Sequence, residues 1–448
     1  MKTHLKDFTK LLMLLLAMTV AFTACDEDDE PLSSESDISS FVFDGLTPPV
    51  TADISGTTIT ATVPYGTDVS ALTPTITVPA EATITPASGT AQDFTSPVAY
   101  TVTAEDGTET TYTVTVTVEE PTLIITPVWE MTILNNGVPD WFTPNNDRDV
   151  ALGPNYIYAH NNLDKIRVLD KTDGSLVTAG ATDFIDAKEN FESGTFRLAN
   201  VATDVNGVIV GSILRVGVNP FYVYKWDNKD ATQELLINYP NPEGWRIGDN
   251  IDVVGDVTAD AFVYTVAAGA DVNKVLRWEI SSGQVVDPNP TIIDLQITGT
   301  GNSPDIWALE NSATSDFYIG GTGVSIARFS SDGALEAELP PALNDGENMI
   351  LFGFAMDVAY FELEGREFVV AVASDAANDS KIAFIDVTGG LENVTADDVT
   401  YYDYVDDTNI VSNANATGGI DIMIDGATAH VATLITNHGV AYLDVTLE

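Results

Sequence analysis

Apolar and polar residues alternate strictly through long stretches of the chain. In "TTYTVTVTV" (110–118), Tyr112, Val114, Val116 and Val118 fall on one face, and Thr111, Thr113, Thr115 and Thr117 fall on the other. A period of two puts successive side chains on opposite sides of an extended backbone, so the segment reads as a half-buried β-strand. "TTITATV" (57–63), "TPTITV" (73–78) and "VAYTVTA" (98–104) alternate in the same way. Asp106-Gly107 in "EDGTE" (105–109) supplies a hairpin turn between two of these runs. Closely spaced short strands predict a small β-sandwich over residues 38–119, and Glu119-Glu120-Pro121 reads as a linker.

From residue 122 the pattern changes and begins to repeat. "DKIRVLDKTDGSLV" (164–177), "FYVYKWDNKDATQELL" (221–236), "NKVLRWEISSGQVV" (273–286), "VSIARFSSDGALEA" (324–337), "SKIAFIDVTGGLEN" (380–393) and "HGVAYLDVTLE" (438–448) each hold an alternating strand. All but the last continue into a polar stretch. Each is preceded by another apolar run, from "NYIYAHNN" (155–162) to "TAHVATLI" (428–435), and pieces such as "RLANVATDVNG" (197–207) and "GDNIDVVGDVTAD" (248–260) precede two of those in turn. A period near 50 residues with three to four strands per unit predicts a β-propeller over 122–448. The last unit stops one strand short, and "TPVWEMTIL" (126–134) is placed to supply it, which gives six blades. Seven follow if residues 178–200 hold an irregular one, and a second sandwich array is the structural alternative. No long stretch carries the spacing of three and four that a helix needs.

The N-terminus has a different logic. Lys2, Lys6 and Lys10 precede an apolar run from Leu11 to Phe22, too short to span a bilayer. Thr23 and Ala24 then stand before Cys25, the chain's one cysteine. Small residues before a cysteine resemble the lipobox of bacterial lipoproteins, with Phe22 where the common pattern has leucine. The resemblance implies a signal peptide over 1–24 and lipidation of Cys25. "DEDDEPLSSESD" (26–37) completes an acidic tether over 25–37. Acids directly after the acylated cysteine resemble the surface-export signal of Bacteroidetes lipoproteins. Residues 38–119 resemble the Ig-like or PKD-like modules of such proteins, on "VPYGTDVSALTPTITV" (63–78) and "ITPASGTAQDFTSPVAYTVTAEDGTETTYTVTV" (84–116). The whole order resembles Bacteroidetes surface lipoproteins with an uncharacterised propeller domain. It implies an outer-membrane, lipid-anchored protein facing outward.

Charge and chemistry narrow the function. A formal charge of −49, from 67 acids and 18 bases, repels phosphate backbones and excludes nucleic acid as a partner. There is no zinc-type histidine spacing among His160, His430 and His438, no nucleophile elbow and no phosphate-binding loop. No cofactor is expected. Calcium lacks a loop motif, although "NNDRD" (145–149) and "DYVDD" (403–407) carry cation-type ligands.

Trp226 and Trp278 share a repeat position with Leu169, Phe329, Ile385 and Leu443, which marks core, and Trp129 is expected to pack in the closing strand. Trp141, Phe142 and Trp245 instead sit among Pro, Asn and Gly in loops, where aromatic faces can meet sugar rings; Trp307 is a weaker candidate. The expected function is a non-catalytic surface lipoprotein that captures a polysaccharide through propeller loops. The alternatives are a polysaccharide lyase or hydrolase, and an adhesion or structural subunit with an outer-membrane protein partner.

Overall fold

The computed structural model describes residues 31–132, 137–143, 145–163, 165–187, 196–340, 343, 352–374, 380–403 and 417–448. The lipidation candidate Cys25 and most of 403–407 lie outside these residues. The chain is all-β and forms two compact units, Met1–Pro121 and Thr122–Glu448.

The first unit has a three-stranded and a five-stranded sheet. Phe41, Phe43 and Ile76 from the smaller sheet meet Ile59, Val63, Tyr100, Val102, Tyr112 and Val114 from the larger in one apolar core. The alternating face of Glu109–Val118 is buried at Tyr112 and Val114 and fades to exposure at Val118, where the strand leaves the core. That strand pairs in parallel with Thr58–Val63, a register that alternation alone does not encode.

Among the described residues, the second unit holds six antiparallel strand sets. Their innermost strands are Asp147–Leu152, Phe196–Thr203, Ile251–Gly255, Asn302–Ala308, Phe352–Leu363 and Gly418–Asp425. The fourth and fifth sets join into one sheet because the long strand Phe317–Phe329 also pairs with Phe352–Leu363. In the sixth set, Leu123–Thr132 pairs antiparallel with Gly439–Leu447, from Leu123 opposite Leu447 to Thr132 opposite Gly439. Residues from the two ends of the unit therefore complete one sheet.

Apolar clusters link each set to the next. One spans the first three sets, others bridge third to fourth, fourth to fifth and fifth to sixth, and the last joins Leu434, Val440 and Tyr442 of the sixth set to Val150, Leu152 and Ile157 of the first. The two repeat-position tryptophans fill these seams. Trp278 stacks on Phe221 of the preceding set at 5.8 Å between ring centroids and meets the edge of Tyr239 at 5.8 Å. Removing a buried indole leaves a cavity that rigid sheets cannot collapse. Trp278→Ala is therefore expected to cost about 3–5 kcal/mol and to lower the thermal midpoint markedly by calorimetry. Val286→Ala, at a side chain 59 % exposed, should leave the midpoint within error.

Candidate functional site

Asp147–Leu152, Phe196–Thr203, Ile251–Gly255, Asn302–Ala308 and Gly418–Asp425 are end strands of their sheets, and Phe352–Leu363 is paired on that side only near Phe352 and Phe354, so N–H groups along these edges need other acceptors. Here one side chain per set supplies an acceptor to the next set. Asp149 accepts from Val201 N–H at 3.0 Å, Asn200 from Ile251 at 3.3 Å and Asp252 from Ala308 at 2.7 Å. Asp305 accepts from Val358 at 2.9 Å, Asp357 from Ile420 at 2.6 Å, and Asp421 from Leu152 at 2.7 Å. The sixth bond returns to the strand that carries Asp149, so the series closes on itself. Gly419 makes room for it: a Cβ there would stand 2.1 Å from Asp149 Oδ1.

Each acceptor sits in a short recurring signature, a D or N followed by V or I: Asp149-Val150, Asn200-Val201, Asp252-Val253, Asp305-Ile306, Asp357-Val358 and Asp421-Ile422. The polar residue faces inward and the aliphatic residue faces the seam. Of these six positions the sequence reading touches only Asp149, as part of the "NNDRD" run, although the pair recurring at the repeat spacing is a visible signal.

Burial and mutual repulsion raise the carboxyl pKa values. Asp149 is pushed up to about 8 by burial, against the backbone N–H bonds it accepts and with Asp305 and Asp421 adding repulsion. Asp252 and Asp421 rise to about 7, again chiefly through burial. Asp357 is held well above its ordinary value by burial, by the charge of Asp305 and by a hydrogen bond to it, and Asp305 is raised by burial.

Cavities lie on either side of the acceptors. Residues beside or just before them, including Arg148, Ala199, Asn250, Ser303 and Gly418, line a small space of about 80 Å³. Arg246 lines it too, paired with Asp249 at 2.5 Å. Residues after the acceptors line a larger one of about 580 Å³, with Val254, Trp307, Tyr360, Ile422 and Met423 on its wall.

The loop aromatics lie elsewhere on the same unit. Phe142 is 7 % exposed, because a turn in which its N–H reaches Pro139 O folds it onto the cluster joining the sixth and first sets. Trp141 is half-buried beside it, with the Arg167 guanidinium 5.1 Å over its ring. Arg167 in turn pairs with buried Asp147 at 2.6 Å. Trp245 is half-buried against the first apolar cluster, next in sequence to Arg246, and Asn241 Nδ2 holds its carbonyl at 2.8 Å. Trp129 packs onto the last cluster and donates Nε1–H to Lys171 O at 2.9 Å.

The histidines are dispersed. His160 is buried with Nε2 3.2 Å from Leu198 O, and burial lowers its pKa to about 3. His430 Nδ1 meets Asp444 at 2.6 Å. Among the described residues no group of three His, Cys, Asp or Glu is arranged to hold a metal ion. Asp147 and Asp149 of the "NNDRD" run lie on the strand Asp147–Leu152 and are engaged by Arg167 and by backbone N–H groups.

Residues 38–116 match the family model described as SGBP, N-terminal. Residues 190–314 match a domain of unknown function, DUF8500. No curated protein matches the chain. A DUF4623 family protein from Bacteroides eggerthii DSM 20697 has a similar structure, with a TM-score of 0.57 at 14 % identity over 92 % of this chain and 98 % of that one. At this identity the likeness is one of fold. A computationally designed protein, Ika8, aligns at a TM-score of 0.32 and 11 % identity over 88 % of this chain and 95 % of that one.

The raised carboxyl pKa values set the sign of a pH effect. An Asp titrating near 7 in the folded chain and near 3.9 unfolded binds its proton more tightly when folded. The contribution of these raised carboxyls to stability is therefore complete below about pH 4 and is lost as pH rises from about 4 to about 8. Asn200 shows that an amide satisfies the same bond: its Oδ1 takes Ile251 N–H while Nδ2 donates to Asp149 at 2.7 Å. Asp252→Asn should raise the thermal midpoint at pH 8 by more than at pH 5. Asp252→Ala, which leaves the Ala308 N–H without its acceptor, should lower it at both. Midpoints measured across that pH range check both variants.

Proposed function

We propose that the protein is a non-catalytic, cell-surface glycan-binding lipoprotein. The observation that carries this reading is the match of residues 38–116 to the N-terminal domain of SGBP proteins, surface glycan-binding proteins of Bacteroidetes. In this reading the first unit is an Ig-like spacer and the second a six-bladed propeller. The cyclic order of seam clusters and the return of the acceptor series to its first strand support the propeller. Cys25 carries the lipid in the outer membrane, and the acids after it direct the protein outward.

The loop aromatics are the proposed polysaccharide contacts. Trp141 and Trp245 keep part of their rings accessible, while Phe142 shapes the site by fixing Trp141 from below. A rigid indole on a packed loop gives a sugar ring a flat apolar face at little entropic cost.

Native gels containing amylose, cellulose derivatives, xylan, mannan or laminarin should retard the protein in at least one case, and Trp141→Ala and Trp245→Ala should weaken that retardation. Free migration in all of them would remove the glycan reading. For the anchor, Cys25→Ala should abolish incorporation of radiolabelled palmitate, and protease added to intact cells should strip the wild-type protein.

A further inference from the structure

The larger cavity is a second place for a ligand, separate from the loop aromatics. Its volume of about 580 Å³ falls inside the range of small-molecule pockets, about 300–1,000 Å³. The wall is apolar and aromatic. Trp307 is half-buried between two apolar clusters, Tyr360 stacks on Tyr318 at 5.5 Å, and Ile422 and Met423 complete it. The Tyr360 hydroxyl is committed to Glu367 at 2.9 Å, so the wall offers faces and few donors.

The floor is the set of inward carboxyls, which offers acceptor oxygens that repel one another. Among the described residues no lysine, arginine or histidine lines this cavity. Below the floor the space narrows to the cavity of about 80 Å³. The complement of such a funnel is a molecule with apolar C–H faces for Trp307, hydroxyl donors for the carboxyls and no negative charge. It must also enter from the wider side, because the space narrows from about 580 Å³ to about 80 Å³ past the carboxyls.

We propose that this funnel binds the terminal residues of a neutral glycan end-on, with Trp307 as the stacking platform and the inward aspartates as hydroxyl acceptors. Uronic acid or sulfated ends find no lysine, arginine or histidine on the described lining to pair with. The proposal rests on the glycan-binding reading and assigns a site distinct from Trp141 and Trp245.

The test is calorimetric titration of the full chain with tri- and hexasaccharides of amylose, cellulose, xylan, mannan and laminarin. For the series that binds, the trisaccharide should match the hexasaccharide, since only the chain end is enclosed. Trp307→Ala should lower affinity roughly tenfold, the loss of about 1.4 kcal/mol of contact. Because Trp307 also packs inward, a second variant guards against misfolding. Ile424, 43 % exposed on the cavity lining, replaced by Trp in a chain that also carries Trp141→Ala and Trp245→Ala should obstruct the mouth and abolish the binding those two changes leave, with the thermal midpoint of that parent unchanged. Parent affinity after Ile424→Trp, or an affinity that climbs more than tenfold from tri- to hexasaccharide in the parent, would overturn end-on binding and leave the glycan reading standing. Binding of none of the five series would remove both.

Discussion

One hydrogen bond, repeated, organises the second unit: an inward Asp or Asn on one innermost strand takes the backbone N–H of the next. It solves the problem of a strand edge with no neighbouring strand, since an unpaired buried N–H costs as much as a lost hydrogen bond. It also fixes the radial position of each strand set against the next, because a carboxyl on a short side chain reaches only one place. The apolar seams supply most of the stabilisation, but they are non-directional. The acceptor series supplies direction, and Asn200 reaches both ways, to Asp149 and to Ile251.

The same solution has an electrostatic cost. Five carboxyls line one cavity, and burial holds their protons above the usual carboxylate range. This is a cost at neutral pH and a source of chemistry. Groups held protonated near neutrality can switch between donating and accepting at small energetic expense, a useful property where sugar hydroxyls, themselves both donors and acceptors, are the partners.

Much of this architecture was legible in the chain. Trp226 and Trp278 could be assigned to the core because their repeat position also holds Leu169, Phe329, Ile385 and Leu443, and all six are buried. The strand at Leu123–Thr132 could be matched to the sixth set because that set lacked an outer strand. The inward aspartates were not legible by the same logic, since an acid in an alternating strand reads as a solvent-facing position. Only their pairing with Val or Ile at the repeat spacing marks them. Phe142 misleads for a related reason: its Pro and Asn neighbours mark a loop, and they do not reveal that the loop turns back onto the sheet.

The pairing of Leu123 with Leu447 ties the unit's first strand to its last, and Thr122 and Glu448 exchange hydrogen bonds in both directions beside it. Among the described residues, the sixth sheet thus has the greatest sequence separation of any pairing. Its completion must wait until residue 447 is available, while the five earlier sets already carry seams rich in Val, Ile and aromatic residues. This makes the final strand a timing element. Until it arrives, the sixth sheet keeps an open edge able to pair with another chain, and the acidic composition, through mutual repulsion between molecules, is what holds neighbours apart during that interval.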